Sequence, residues 1–315
     1  MSSSIHLNQP YEVKFCRAML APKYWASWIA VLMMASTALI PNRARRMIAK
    51  GCVPILRKVG KKPKRITHAN LKACFPNMPE SERDKIIDAM IFNFLRVGLG
   101  MGALACHRRK DIESAINING IEHIERARDQ GKPIVFLVPH LIGIEFAGAR
   151  LSALGLPMMG MVKHHKNPVF NWFTCKQRRR WGGTVYHRDA GLRTLVQGLR
   201  RGECFLYLPD QDHGPEKSVF APFFATHKAT LPVIGRLARC GNAVVLPLAI
   251  DIAPNEAKMQ LNVSAPLELP ESMTKQEEAE LLNQEMERII AAHPCQYMWF
   301  LKVLQTRQEG ESRLY

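Results

Sequence analysis

Short apolar runs recur along the second half of the chain, and stretches of helical spacing separate them. Residues 134–138 (IVFLV), 158–162 (MMGMV), 184–186 (TVY), 204–209 (CFLYLP) and 243–250 (AVVLPLAI) have the length and the β-branched, aromatic content of buried strands. Helical periodicity follows the first run to about Leu154 and returns over residues 168–181, 190–200 and 230–240. Residues 259–263 (MQLNV) suggest an edge strand, and residues 273–292 a Glu-rich, exposed helix. Strands alternating with helices predict an α/β fold, a mixed sheet covered by helices.

The first third has another character. Residues 24–42, YWASWIAVLMMASTALIPN, are nineteen positions without a charge, close to the roughly 20 that cross a bilayer core. Trp25 and Trp28 mark one end; Lys14, Arg17 and Lys23 precede it, and Arg43, Arg45, Arg46 and Lys50 follow. This predicts a single N-terminal membrane-anchor helix, with the body held on the cytoplasmic face by the heavier charge after it. Its Ser, Thr and Ala content leaves open whether it spans or lies in one leaflet. After Pro79, residues 80–106 read as one helix capped by Ser81, its second half buried or dipping into the membrane. The division expected is 1–23 as an N-terminal cytoplasmic segment, 24–42 as anchor, 43–110 as a basic juxtamembrane helical region, and 111–315 as the domain carrying the chemistry.

Charge sharpens this picture. The formal net charge is +17, and between Glu12 and Glu80 there are fourteen Lys or Arg and no acid. A second cluster, Lys163 to Arg201, holds ten Lys or Arg and one acid, Asp189. A polyanionic partner is implied. Beside an apolar anchor, Arg57, Lys61 and Lys64 are expected to meet anionic headgroups or an acidic donor. A nucleic-acid reading lacks aromatic platforms interleaved with the basic residues. The eight scattered cysteines form no CxxC and read as reduced, cytosol-facing thiols.

Three constellations carry chemistry. Val138-Pro139-His140-Leu141-Ile142-Gly143-Ile144-Glu145 places His140 where a buried strand ends, the position at which α/β sheets build sites. With His140 in the entering loop and Glu145 on the first helical turns, the carboxylate could fix the imidazole tautomer and leave the other nitrogen to take a hydroxyl proton. Asp210-Gln211-Asp212-His213 follows another apolar run; it reads either as oxygen and nitrogen ligands for a metal or as a turn held by Asp side chains. Arg178-Arg179-Arg180, with Lys163, Lys166 and Arg188, reads as a solvated face or as phosphate clamps. Markers of a serine acyl-enzyme, a P-loop, a zincin and a Rossmann dehydrogenase are missing.

Together these runs resemble the glycerolipid acyltransferase superfamily, whose first motif is HxxxxD/E. Within it the chain is similar to the late (secondary) acyltransferases of lipid A biosynthesis, from about Pro22 to Gly310. PKYWASWI, NLKACFP, NPVF, RRRWGG, YLPDQDHGPEKSVF, FFATHKATLPVIGRL and QYMWFLKVLQTR carry the likeness. The lauroyl-adding branch has a W-x-H-R-R-F-K-T-R-P run, whereas Trp299–Arg307 here reads WFLKVLQTR and resembles the branch adding the last, myristoyl-type chain. Glu145 stands where relatives can carry Asp, and the chain lacks the longer basic tail expected after Tyr315.

The resemblance implies a glycerolipid acyltransferase-like domain in the bacterial inner membrane. It implies acyl transfer from acyl carrier protein to an acyl-chain hydroxyl of a Kdo-lipid A precursor, with inner-membrane phospholipids as surroundings and no nucleic acid. His140 is then the expected general base, with Glu145 orienting it. Arg178, and after it Arg180, is the expected cation at the acceptor phosphate or the developing oxyanion, with Arg188 in the same basic cluster. Asp210 and Asp212 belong to the PDQD loop, where Asp210 would position an arginine or the acceptor. The resemblance implies neither a cofactor nor a metal.

Overall fold

A computed structural model describes residues 9–162, 164–252 and 258–315. The first eight residues of the expected N-terminal segment, and Lys163 of the second basic cluster, lie outside the described residues. Helices come first: α1 (Trp25–Ser36), α2 (Asn42–Val59), α3 (Lys61–Cys74), α4 (Glu80–Gly98), α5 (Met101–Cys106) and α6 (Arg109–Ala115). Alternation then begins with β1 (Ile116–Asn119), α7 (Ile121–Asp129), β2 (Ile134–Leu137), α8 (Ile144–Ala153), β3 (Met158–Val162), α9 (Pro168–Arg178) and β4 (Thr184–His187). It continues through α10 (Gly191–Arg200), β5 (Cys204–Tyr207), β6 (Val219–Phe223), β7 (Thr226–Thr230), α11 (Ile234–Gly241), β8 (Val244–Asp251), β9 (Met259–Val263) and α12 (Lys275–Ala292).

Seven of these strands form one sheet in the order β1-β9-β8-β2-β5-β3-β4, and β6 and β7 pair apart as an antiparallel hairpin. From β8 to β4 neighbours run parallel, while β9 is antiparallel to β8 and β1 parallel to β9. The sheet is therefore mixed and, as expected, sandwiched between helices. In β2 all four residues are buried. Ile134 and Phe136 enter one core with Leu71, Ile87, Phe146 and Trp299; Val135 and Leu137 enter another with Leu195, Leu199 and Leu237. Side chains alternating along a strand feed both cores only if helices cover both faces. Each fully buried Leu, Ile or Phe contributes about 1.5–3 kcal/mol relative to exposure.

Several expectations change. β9 is an inner strand, because the four-residue β1 covers it; so short a strand leaves no periodic signal. The helix expected over residues 80–106 breaks after Gly98, and Pro79 rather than Ser81 occupies its N-cap, with no side-chain cap. α12 is not an exposed helix: Ala279, Leu282, Met286, Ile289 and Ile290 are buried. Of its acidic residues only Glu278 is buried with them, and Thr274 with Glu277 forms a capping box.

The expected anchor is not one continuous helix. α1 has twelve residues, about 18 Å at 1.5 Å per residue, well short of a core of about 30 Å. A 3-10 turn and Pro41 end its course. α1 lies against the body: Ser27 and Val31 are buried, and Asn167 Nδ2 donates to Ser27 Oγ at 2.7 Å. Its outer face leaves Trp25, Ile29, Leu32 and Met33 more than half exposed, at 58–66%. Among the described residues, the stretch long and apolar enough to cross a membrane is Glu80–Cys106. Yet Ile87, Met90 and Val97 sit in the main core, and Asn93 Nδ2 donates to the Cys295 carbonyl at 3.2 Å.

Arg57 is also diverted from its expected partner. Its guanidinium bridges Asp84 at 2.6 Å and Asp88 at 2.7 Å, tying α2 to α4. Reversing its charge therefore strikes this helix pair before any surface.

α1 meets α5 at Gly102, where a Cβ would collide with the Met34 carbonyl oxygen. Gly102→Val is predicted to push α1 off the body at an overpacking cost of about 1–3 kcal/mol. Limited proteolysis should then cut within residues 24–42 faster than in the wild type, and the melting temperature should fall.

Candidate active site

β2 and β5 are parallel neighbours, with Leu137 opposite Tyr207. Their carboxyl ends therefore deliver His140 and Asp210 to the same edge of the sheet. Asp210 is completely buried, and both its oxygens are occupied by one residue. The His140 backbone N–H donates to Oδ2 at 2.8 Å, and His140 Nδ1 lies 2.6 Å from Oδ1. With Asp210 ionised, Nδ1 carries the proton and Nε2 is left with its lone pair. The imidazole is 22% exposed, which leaves it reachable.

The electrostatics follow from this pairing. Burial pulls the His140 imidazole down, but the charge of Asp210 and its hydrogen bond more than reverse this and hold it above the ordinary histidine range. Burial would raise the Asp210 carboxyl; the His140 contacts and the Lys228 ammonium overcome it and keep the group below its usual value. Lys228, on β7, is itself completely buried.

The turn carrying His140 is braced by the end of the chain. Ile142 N donates to the Gln296 carbonyl at 2.8 Å, and Met298 N donates to the His140 carbonyl at 2.9 Å. Asn70, from the NLKACFP run, holds that segment from behind by donating to the Trp299 and Leu301 carbonyls at 2.7 and 2.8 Å. Asp212 accepts from Thr306 N at 2.6 Å, Thr306 Oγ1 at 2.7 Å and Gly214 N at 3.0 Å. It fastens the strap and is not directed at a ligand. Asp210 and Asp212 are thus both committed to protein donors, and among the described residues no three His, Cys, Asp or Glu side chains are grouped to hold a metal.

Glu145 does not hold the imidazole. It opens α8 and pairs with Arg178 through two contacts, Nη2 to Oε1 and Nε to Oε2, the latter at 3.2 Å. Burial lowers the Arg178 guanidinium and the Glu145 charge outweighs it, so the net direction is upward. The other expected cations separate. Arg179 pairs with Glu12 at 2.7 Å, and Arg180 donates to the Leu104 carbonyl at 2.8 Å while stacking 5.1 Å from the Trp181 ring centre. Arg188 is exposed in a 3-10 turn after β4; burial first, then the charges of Lys228 and Arg188, push the His213 imidazole down. Reading the sequence missed the His140–Asp210 contact. The available signal was that both residues follow apolar runs, which become neighbouring parallel strands.

Residues 12–306 match the family described as bacterial lipid A biosynthesis acyltransferase. A lipid A biosynthesis acyltransferase of Haemophilus influenzae is 33% identical, over 96% of this chain and 94% of its own. A lipid A biosynthesis myristoyltransferase of Escherichia coli is 35% identical, over 98% and 95%. A lipid A biosynthesis lauroyltransferase of Escherichia coli is 30% identical, over 96% and 98%. A solved 1-acyl-sn-glycerophosphate acyltransferase from Thermotoga maritima aligns with a TM-score of 0.37 at 15% identity, over 80% of this chain and 96% of that one. With the family match reaching from the first helices to the strap that braces His140, the chain belongs to the lipid A biosynthesis acyltransferases and is an enzyme.

Proposed function

We propose that the enzyme transfers a fatty acyl group from acyl carrier protein to a hydroxyl on an acyl chain of a Kdo-lipid A precursor, at the penta-acyl to hexa-acyl step. The observation that carries the chemistry is the buried carboxylate on His140 Nδ1. His140 Nε2 takes the hydroxyl proton as the oxygen attacks the thioester carbonyl. The imidazolium so formed is stabilised by Asp210 in a dry setting, where charge interactions are strong. When the tetrahedral oxyanion collapses, the C–S bond breaks and the imidazolium proton goes to the departing thiolate. Asp210 thus takes the orienting role expected of Glu145. Glu145 holds Arg178 at the first turn of α8, where a guanidinium can meet an acceptor phosphate or the developing oxyanion.

The step is supported by the myristoyltransferase relative and the WFLKVLQTR ending. The earlier, lauroyl-type step is the second reading, favoured by the 30% identity to a lauroyltransferase. The N-terminal helices fit attachment to the cytoplasmic face of the inner membrane without a full span. α1 exposes Trp25, Ile29, Leu32 and Met33, and α2 exposes Met47, Ile48, Ile55 and Val59 among its basic residues. An apolar face rimmed by cations is the make-up of a helix lying in the headgroup boundary.

The reaction is tested by offering acyl carrier proteins with C12, C14 and C16 chains, and tetra- and penta-acyl Kdo-lipid A acceptors separately, to detergent-purified enzyme. A mass gain of one acyl group on the penta-acyl acceptor, lost in His140→Ala, is expected. A gain confined to the tetra-acyl acceptor moves the enzyme to the earlier step, and no gain on either removes the lipid A reading.

Asp210→Asn leaves burial as the main influence on the imidazole, which lowers it. The base is active when unprotonated, so the acid limb of kcat/KM should move to lower pH while kcat falls by about 100- to 10,000-fold. An acid limb left in place would separate Asp210 from the base. Replacing Ile29, Leu32 and Met33 together by Ser should release the enzyme from anionic vesicles in a flotation assay, with detergent-phase activity retained.

A further inference from the structure

Lys228 is the one lysine among the buried charged residues described, and none of its direct partners is charged. It lies in the middle of β7 at 0% exposure. Its Nζ donates to the Pro209 carbonyl at 3.3 Å, the Ala229 carbonyl at 3.3 Å and Thr230 Oγ1 at 3.4 Å. A buried ammonium with neutral acceptors needs a counter-charge close by. The Asp210 and Asp212 carboxylates provide it. The hairpin bearing Lys228 is in turn fixed to α12: Asn283 accepts from Thr230 Oγ1 at 2.7 Å and donates to the Pro222 carbonyl at 2.8 Å.

We propose that Lys228 is a positioning residue for acyl transfer: its ammonium fixes the peptide joining Pro209 to Asp210 and keeps Asp210 an anion with both oxygens on His140. The inference rests on the reading of His140 as general base. Its logic is electrostatic. While the base waits, its imidazole is neutral, and Asp210 is then a carboxylate in a dry interior with no cation on its oxygens. Burial alone pushes its carboxyl up, toward the protonated form. A protonated Asp210 accepts from Nδ1–H more weakly and carries an O–H that can donate to the ring instead, so the imidazole tautomer is no longer fixed. Lys228 opposes that protonation without competing for either oxygen, because it binds the carbonyl one residue earlier.

The charged and titratable groups around it are few. The loop after β5 contributes Asp210, Asp212 and His213. Tyr207 from β5 and Tyr297 from the strap lie near Asp210, and both are raised by burial, so they stay neutral. Glu278 of α12 acts on Tyr207 and accepts from Gly235 N at 3.1 Å. Burial brings the Lys228 ammonium down to about 8 against the pull of the two aspartates.

Lys228→Met keeps the length of the side chain and removes its charge. The expected result is a kcat loss of about 10- to 100-fold, the range seen for outer-shell partners of metal-bound imidazoles, with KM for both substrates little changed. The acid limb of kcat/KM should move to higher pH, since removing a nearby cation makes the His140–Asp210 pair easier to protonate. This is opposite to the shift from Asp210→Asn. A side chain that only filled space would change the melting temperature and leave the limb in place. The wild-type enzyme supplies a readout that needs no folded variant: kcat should decline as the ammonium titrates above about pH 8, and a flat profile from neutral to alkaline pH overturns the proposal. His140→Ala is run alongside. Activity surviving in His140→Ala brings down the general-base reading itself. An inactive His140→Ala beside a Lys228→Met with wild-type kcat and an unmoved limb overturns the role of Lys228 alone.

Discussion

A carboxylate removed from water must find donors, and the Asp210 carboxylate finds both of its donors on one residue. The backbone and the ring of His140 are fixed by the same group. The turn after β2, the orientation of the imidazole and the availability of Nε2 all follow from that attachment. It is possible because β2 and β5 are adjacent and parallel, so their ends emerge side by side. The mixed sheet, the two cores and the hairpin behind the Asp210 loop can be read as the scaffold that holds one buried anion against a partly exposed imidazole.

Much of the sheet was legible because buried parallel strands leave continuous apolar runs, and those at residues 134–138, 158–162 and 243–250 fall where strands form. β1 and the β6–β7 hairpin were not legible. One is four residues long, and the other reads VFAPF and THKAT, where Pro222 and the polar Thr226, His227 and Lys228 obscure any alternation. Helices were placed well where one face is apolar, but α12 was misjudged from its glutamates, although its inward positions are aliphatic.

The candidate site was legible as an inventory and not as a wiring diagram. His140, Glu145, Arg178, Asp210 and Asp212 all stand out by residue type, yet which carboxylate meets which cation depends on strand order. Five residues separate His140 from Glu145, and seventy separate His140 from Asp210; sequence distance favours the wrong pair. Sheet topology reverses that preference. The triple arginine shows the same limit, since three consecutive residues end on Glu145, Glu12 and the Leu104 carbonyl, each belonging to a different part of the molecule.

The strap has a consequence for synthesis. Because the turn at His140 is tied to residues 296–298, and the Asp210 loop to Thr306, these contacts cannot form until residues 296–306 have left the ribosome. Domains fold as they emerge, N-terminal parts first, so the helices before β1 can form long before the His140 turn is braced. A chain cut short before the strap therefore lacks the contacts that hold the His140 turn.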